Sequence, residues 1–155
     1  MSFTVKMVGD WDKAYKATRP KNLKRAIVKA MVPAFEEAAT LVANNINRKI
    51  MSGGAQGPPL ARSTILRKGH SKKLVRTGAL GQAAKVRRIG VSEFFTGIPR
   101  DLKHGRLAMA TLIMFQEEGT STIPPRPVVQ PSINESERRV KNVLGKAAKT
   151  IWGEI

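Results

Sequence analysis

Apolar side chains between residues 23 and 50 recur at intervals of three and four. Leu23, Ile27, Met31, Ala34, Phe35, Ala38, Leu41, Val42, Ile46 and Ile50 fall on one stripe, the spacing of a helix that buries one face. That helix is expected from about Pro20 to Ile50. Pro33 lies inside it, where it removes a backbone donor and crowds the preceding turn, so a kink or break is expected near Ala30 to Val32. At the other end of the chain, Ile133, Val140, Val143, Leu144, Ala147 and Ile151 mark the inward face of a closing helix from about Ser132 to Trp152. Ser132 and Glu135 have the spacing of a capping box at its start. Between the two, Leu107 to Glu118 is an almost wholly apolar helical segment. It has to be covered nearly all round, by its own domain or by a neighbouring subunit.

Elsewhere the period shortens to two. Lys85 to Ile89 and Glu93 to Ile98 flank Gly90-Val91-Ser92 and read as a β-hairpin, with Val86, Ile89, Phe94 and Ile98 supplying partial burial. Phe3, Val5 and Met7 alternate with polar or small neighbours, as in a short strand that stops at Gly9-Asp10. Trp11, Ala14 and Tyr15 then fit a short helix from Asp10 to Arg19. Leu74 to Leu80 reads as a return to the core with one helical turn begun by Thr77, and Pro99 to Arg106 as a polar connector. Residues 1–155 therefore read as a single α+β domain. Its parts are a long kinked N-terminal helix, a small antiparallel sheet with a hairpin, an apolar helix, a C-terminal helix and a long basic loop. No internal repeat or low-complexity tract is visible.

Two stretches follow neither period. Ser52-Gly53-Gly54 and Pro58-Pro59 open an irregular segment that runs to about Lys73 and carries Arg62, Arg67, Lys68, His70, Lys72 and Lys73. A loop of this length inside a compact domain is uncommon, so residues 51–73 are expected to form an extended basic arm that orders against something else. The other stretch holds four prolines, Pro124, Pro125, Pro127 and Pro131, which no helix interior or central strand accommodates. Each also biases the residue before it toward extended geometry. Ile123 to Pro127 is thus expected to be a stiff, polyproline-like strut that holds Arg126 between two prolines.

Composition narrows the chemistry. There is no cysteine, which excludes a disulfide framework, thiolate metal sites and thiol catalysis and fits a reducing compartment. No long apolar segment of a secretory signal follows Met1. The longest apolar run, Leu107 to Phe115, is far below the ~20 residues of a membrane helix, so a soluble protein without membrane contact is expected. His70 and His104 have no carboxylate at metal-ligand spacing, and Glu117 and Glu118 point about 100° apart on a helix. With no phosphate-binding glycine loop either, the expectation is a protein that is not an enzyme and takes no metal or cofactor.

The net charge of +17 is unevenly placed: residues 38–92 hold 11 basic and no acidic side chains. Such a field draws polyanions, either nucleic acid or the acidic face of a protein. Arg62, Arg67, Lys68, Lys72, Lys73, Arg76, Lys85, Arg87 and Arg88 could neutralise several phosphates in a salt-sensitive manner. No aromatics are interleaved for base stacking and no reader fold is recognisable, so sequence-specific recognition is not expected. Non-specific contact with DNA, docking on an acidic protein ring and a plain solvated surface all fit the charge.

Several stretches, taken in order, carry a resemblance. Pro59-Leu60 leads to Thr64 and Lys68, and Leu74-Val75-Arg76-Thr77-Gly78-Ala79-Leu80 follows. An alanine-containing apolar helix then ends in Glu117-Glu118-Gly119, followed by Thr120-Ser121, Pro124-Pro125-Arg126-Pro127 and Pro131-Ser132-Ile133. In order and spacing, over about residues 20–150, this resembles the tail-completion and head–tail joining (neck) proteins of long-tailed bacteriophages, also termed minor tail or virion morphogenesis proteins. Two positions depart from the family pattern. Ala83 stands where serine is common, and Pro127-Val128-Val129 replaces Pro-Phe-Leu, which removes an aromatic packing contact.

The resemblance implies a structural virion protein, assembled in the host cytoplasm, that forms a homo-oligomeric ring, most simply a hexamer. The ring would lie between the portal or connector and the tail tube or tail terminator. A tail terminator or connector of the same particle, or a free-standing non-specific DNA-binding protein, is the alternative. Within the ring reading, Arg62, Arg67, Lys68, Lys72, Lys73, Arg76, Pro124, Pro125, Arg126 and Pro127 are the expected partner interface, with Arg126 clamping a carboxylate on a neighbour. Lys85, Arg87 and Arg88 are the candidates for contact with packaged DNA in the lumen.

Overall fold

The computed structural model describes residues 19–76, 78–90 and 93–153. The strand expected at Phe3 to Met7, the helix expected from Asp10 up to residue 18, and Thr77 lie outside the described residues. Helix α1 spans Pro20–Ser52, α2 Arg62–Lys68, α3 Met109–Glu118 and α4 Val129–Gly153. A 3-10 turn occupies Ala79–Gln82. Strands β1 (Lys85–Arg88) and β2 (Phe94–Gly97) pair antiparallel, with Lys85 opposite Gly97 and Arg88 opposite Phe94. A second small antiparallel pair joins β3 (Lys103–His104) to β4 (Leu107–Ala108). The architecture is α+β.

Helix α1 is the axis of this arrangement. Its N-terminal proline sits where the missing N–H costs nothing, and Gly53 ends it in the left-handed conformation at φ 75°. The stripe read from the sequence is buried in its C-terminal part, where Ala34, Ala38, Val42, Ile46 and Ile50 face inward together with Ala43, whereas Ile27 is 42% exposed. No break occurs near Ala30 to Val32. The helix runs unbroken through Pro33, whose side chain is exposed. Pro33 has no N–H, so the carbonyl of Lys29, one turn earlier, lacks its intrahelical donor.

Three elements close on this face. The β1–β2 hairpin is fastened by Thr96 Oγ1, which donates to the Ala39 carbonyl at 2.7 Å. The segment before β1 is held by a reciprocal pair. Asn47 Nδ2 donates to the Ala84 carbonyl, and the Ala84 N–H donates to Asn47 Oδ1, both at 3.0 Å. Helix α4 lies along α1. There Asn45 Nδ2 donates to the Ser132 carbonyl at 2.9 Å and to Ser136 Oγ at 3.1 Å, while Lys49 pairs with Glu135. The core joins these elements through Ile46, Ile50, Ala83, Ala84, Ile98, Met109, Ile113 and Val128.

The sequence reading needs correction at several points. Ile133 is not an inward residue: it is 41% exposed, and Ser132 and Ser136 take the buried positions beside α1. Serine is small enough to let the two backbones approach, and both hydroxyls are satisfied within α4, Ser132 Oγ donating to the Val128 carbonyl and Ser136 Oγ to the Ser132 carbonyl, with Asn45 donating to Ser136 Oγ as well. The capping box also fails. Helix α4 starts three residues before Ser132, whose hydroxyl donates back to the Val128 carbonyl at 2.6 Å. Glu135 turns to Lys49 instead. The polar connector from Pro99 to Arg106 contains β3, and α3 begins at Met109, two residues later than expected. Finally, α3 is not covered all round. Met109 and Ile113 are buried, but Met114 and Phe115 are 46% and 40% exposed.

A proline brace and a basic docking surface

The segment between α3 and α4 is held by an almost complete set of backbone hydrogen bonds. Gly119 leaves α3 at φ 78°. A Cβ there would meet the Ile123 carbonyl oxygen at 2.8 Å and the Pro125 nitrogen at 2.9 Å, so only glycine fits. Thr120 folds the next turn: its N–H donates to the Ile123 carbonyl at 2.8 Å. Its hydroxyl accepts from the Thr122 N–H at 3.3 Å and the Ile123 N–H at 3.0 Å. Pro124, Pro125 and Pro127 have no N–H to satisfy. The Arg126 N–H between them donates to the Gln116 carbonyl at 2.6 Å, one of the acceptors that the last turn of α3 leaves open.

The brace ends on a cap that sequence reasoning missed. Glu117 Oε1 accepts from the N–H groups of both Val128 and Val129 at 2.6 Å. A carboxylate at a helix N-terminus satisfies free donors and complements the helix dipole. The last turn of α3 thus caps the first turn of α4. The signal available in the sequence is negative: Pro127-Val128-Val129 offers no serine, threonine, aspartate or asparagine to cap a helix. Glu117→Gln keeps the size but loses the charge, and is expected to cost about 1–2 kcal/mol. The check is chemical denaturation, with Glu118→Gln as the comparison. Equal midpoints for the two variants would rule out the capping role.

The basic segment is folded onto this brace. Residues 51–73 are not an extended arm: they contain α2 and are pinned at both ends. The Gln56 N–H donates to the Pro127 carbonyl at 3.0 Å. Lys73 Nζ donates to the carbonyls of Ala55 at 3.1 Å and Gly57 at 2.6 Å, so this lysine is a structural tie. Gly57, at φ 87°, passes so close to the brace that a Cβ would stand 2.3 Å from the Pro125 carbonyl oxygen and 3.5 Å from Arg126 Cγ. Helix α2 buries none of its residues. It ends with Arg67 and Lys68 at its C-terminal pole, where cations are favoured.

Lys68 and Arg126 are brought together by this fold. The Lys68 ammonium is held below the ordinary lysine range, first by burial and then by the Arg126 charge. Lys68 Nζ donates to the Lys72 carbonyl at 2.8 Å, while Arg126 Nε is buried and has no hydrogen-bond partner. His70 Nδ1, just past α2, is likewise buried and unpartnered. Of the other expected interface residues, Arg62, Arg67, Lys72, Arg76, Pro124 and Pro125 are exposed and Pro127 is half-buried.

Lys85, Arg87 and Arg88 sit apart, on β1. Arg87 bonds Asp101 at 2.7 Å. Arg88 Nε donates to the Gly90 carbonyl at 2.9 Å, and its guanidinium carbon stands 6.0 Å from the Phe94 ring centre. Both arginines therefore have intramolecular work, and Lys85 is exposed.

Among the described residues, no three of His, Asp and Glu come together as a metal-holding group, and no helix is long and apolar enough to cross a membrane. Compared with protein-family models, with curated proteins and with solved structures, the chain gives no match.

Proposed function

We infer that this chain is a structural subunit of the neck of a long-tailed bacteriophage particle. Copies of it close into a ring, most simply a hexamer, that completes the tail and joins it to the head connector. The reading rests on the ordered series of motifs from Pro59 to Ile133. One physical observation carries it beyond resemblance: the open apolar side of α3 stands next to the proline brace. Met114 and Phe115 of α3 are 46% and 40% exposed, and Leu107 in the preceding strand β4 is 50% exposed. An apolar face left in water marks a docking surface, and a cyclic head-to-tail neighbour would cover it.

The brace suits such an interface. With its backbone donors satisfied internally, it presents Arg126 and the end of α3 already ordered, so association carries little further entropy cost. The portal or connector on one side and the tail tube or terminator on the other are the remaining partners. Lys85 is the most available of the three hairpin cations for contact with DNA in the lumen. No catalysis, metal or cofactor is assigned to the chain.

The test is native mass spectrometry and electron microscopy of the purified protein. A discrete cyclic oligomer is expected without nucleic acid. Replacing Met114 by Ser together with Phe115 by Asp is expected to abolish it while leaving far-UV circular dichroism unchanged. A monomer whose only property is salt-dependent binding to linear duplex would overturn the reading in favour of simple DNA binding.

A further inference from the structure

Helix α2 is seven residues long and buries none of its side chains. That is well below the ~12–15 residues at which a helix holds alone in water. Thr64, Ile65 and Lys68 are half-buried and mark the side that rests on the molecule, while Arg62, Ser63, Leu66 and Arg67 are exposed on the opposite side. Leu66 is 75% exposed, more than any other large apolar side chain among the described residues. Arg62, four positions earlier, shares its face. The outer side of α2 is thus an apolar knob set among cations, in a segment (residues 51–73) that contains no carboxylate.

A matching recess lies elsewhere on the same chain. Between α1, β2 and α4 is a concavity of about 420 Å³ walled by Phe35, Ala38, Ala39, Val42, Phe94 and Val140. Its two polar members are Thr96, whose hydroxyl is spent on the Ala39 carbonyl, and Glu93, exposed at the hairpin turn. In a chain of net charge +17, this recess is lined by a carboxylate and no cation. Glu36 and Glu37 are exposed on the same stretch of α1. Knob and recess do not meet within one copy. Ala39 precedes Gly53, where the basic segment leaves α1, by 14 residues, about 21 Å along the helix at 1.5 Å per residue. Gln56 and Lys73 then pin that segment at both ends.

Building on the ring reading, we propose that α2 of one copy seats Leu66 in the recess between α1, β2 and α4 of the next, with Arg62 turned toward Glu93. Burial of the leucine and of the recess walls supplies the affinity. The charges at the rim steer the approach and fix its register. Because knob and recess are different surfaces, the contact is heterologous and repeats around a ring.

The chain contains no cysteine, so introduced thiols report this contact alone. A full-length protein carrying Leu66→Cys and Ala39→Cys is expected, on mild oxidation, to give a covalent ladder that ends at the ring number on a non-reducing gel. Each single-cysteine protein is expected to give nothing beyond a dimer. Leu66→Asp, at an exposed position that leaves circular dichroism unchanged, is expected to weaken association at least about tenfold in sedimentation. Arg62→Gln is expected to reduce its salt dependence. A protein with Val5→Cys and Ala39→Cys is expected to close no loop within one chain. Closure of that loop would show that the chain's own N-terminal segment fills the recess, and would overturn the proposal. Parent rings without the ladder, or Leu66→Asp rings as stable as the parent's, would overturn this contact and leave the ring reading standing. A parent that stays monomeric at every concentration would remove both.

Discussion

Gly57→Ala is expected to lower stability by about 2–4 kcal/mol. The left-handed backbone at φ 87° costs an alanine about 1–2 kcal/mol, and the rest comes from the close approach. The new Cβ would lie 2.3 Å from the Pro125 carbonyl oxygen, on a backbone that the Arg126 N–H and the Pro127 carbonyl hold from both sides. Neither side can move without breaking one of those bonds, so the loop is expected to part from the brace. In a chain of this size the loss corresponds to a melting point lower by about 5–15 °C. Gly69→Ala is the control: its φ is 75° but nothing lies within 4 Å of its Cβ position, so only the conformational part applies. Equal melting points for the two variants would refute the contact.

Ile50→Ala is expected to cost about 2–5 kcal/mol, the range for a cavity in a core that cannot collapse around it. Ile50 is fully buried at the centre of the cluster that joins α1 to α3 and the brace. Ile133→Ala removes the same atoms from a side chain 41% exposed and is expected to cost less than about 1 kcal/mol. Urea denaturation of both distinguishes them. A loss at Ile133 matching that at Ile50 would mean that α4 sits with a different face toward α1.

These two isoleucines show how far the sequence could be read. Ile50 belongs to a stripe repeated over seven turns, so its direction is settled many times over by its neighbours. Ile133 lies near the start of a helix whose starting point depends on Glu117, in another helix, and one residue of drift turns the face by about 100°. The burial of Ser132 and Ser136 is equally nonlocal, because it is α1, through Asn45, that lies against that side of α4. Helix α2 escaped notice because it buries nothing and so carries no apolar period. The hairpin was legible from local alternation, although Ile89, read as partly buried, is 68% exposed, and the apolar helix was legible from a continuous apolar run.

The candidate site divides in the same way. Arg126 was conspicuous between its prolines, and Lys68 stood among many cations. Their proximity was not visible, because it depends on Gly57 passing the Pro125 carbonyl. Lys73 looked like any other surface lysine, yet it ties two carbonyls of the loop. Charge counts carry no record of which ammonium is used internally.

The pairing of α1 with α4 has a consequence for biosynthesis. Asn45 and Ser136 are separated by 91 positions, and α4 is the last of the elements that close on α1 to be synthesised. At a translation rate of about 5–20 residues per second, the ribosome needs roughly 4–15 s to pass from the end of α1 to the start of α4. Throughout that interval the nascent α1 stripe lacks its final cover. A polypeptide wired in this way closes late and all at once, and until then it is exposed to capture by holdase chaperones or by other unfinished chains.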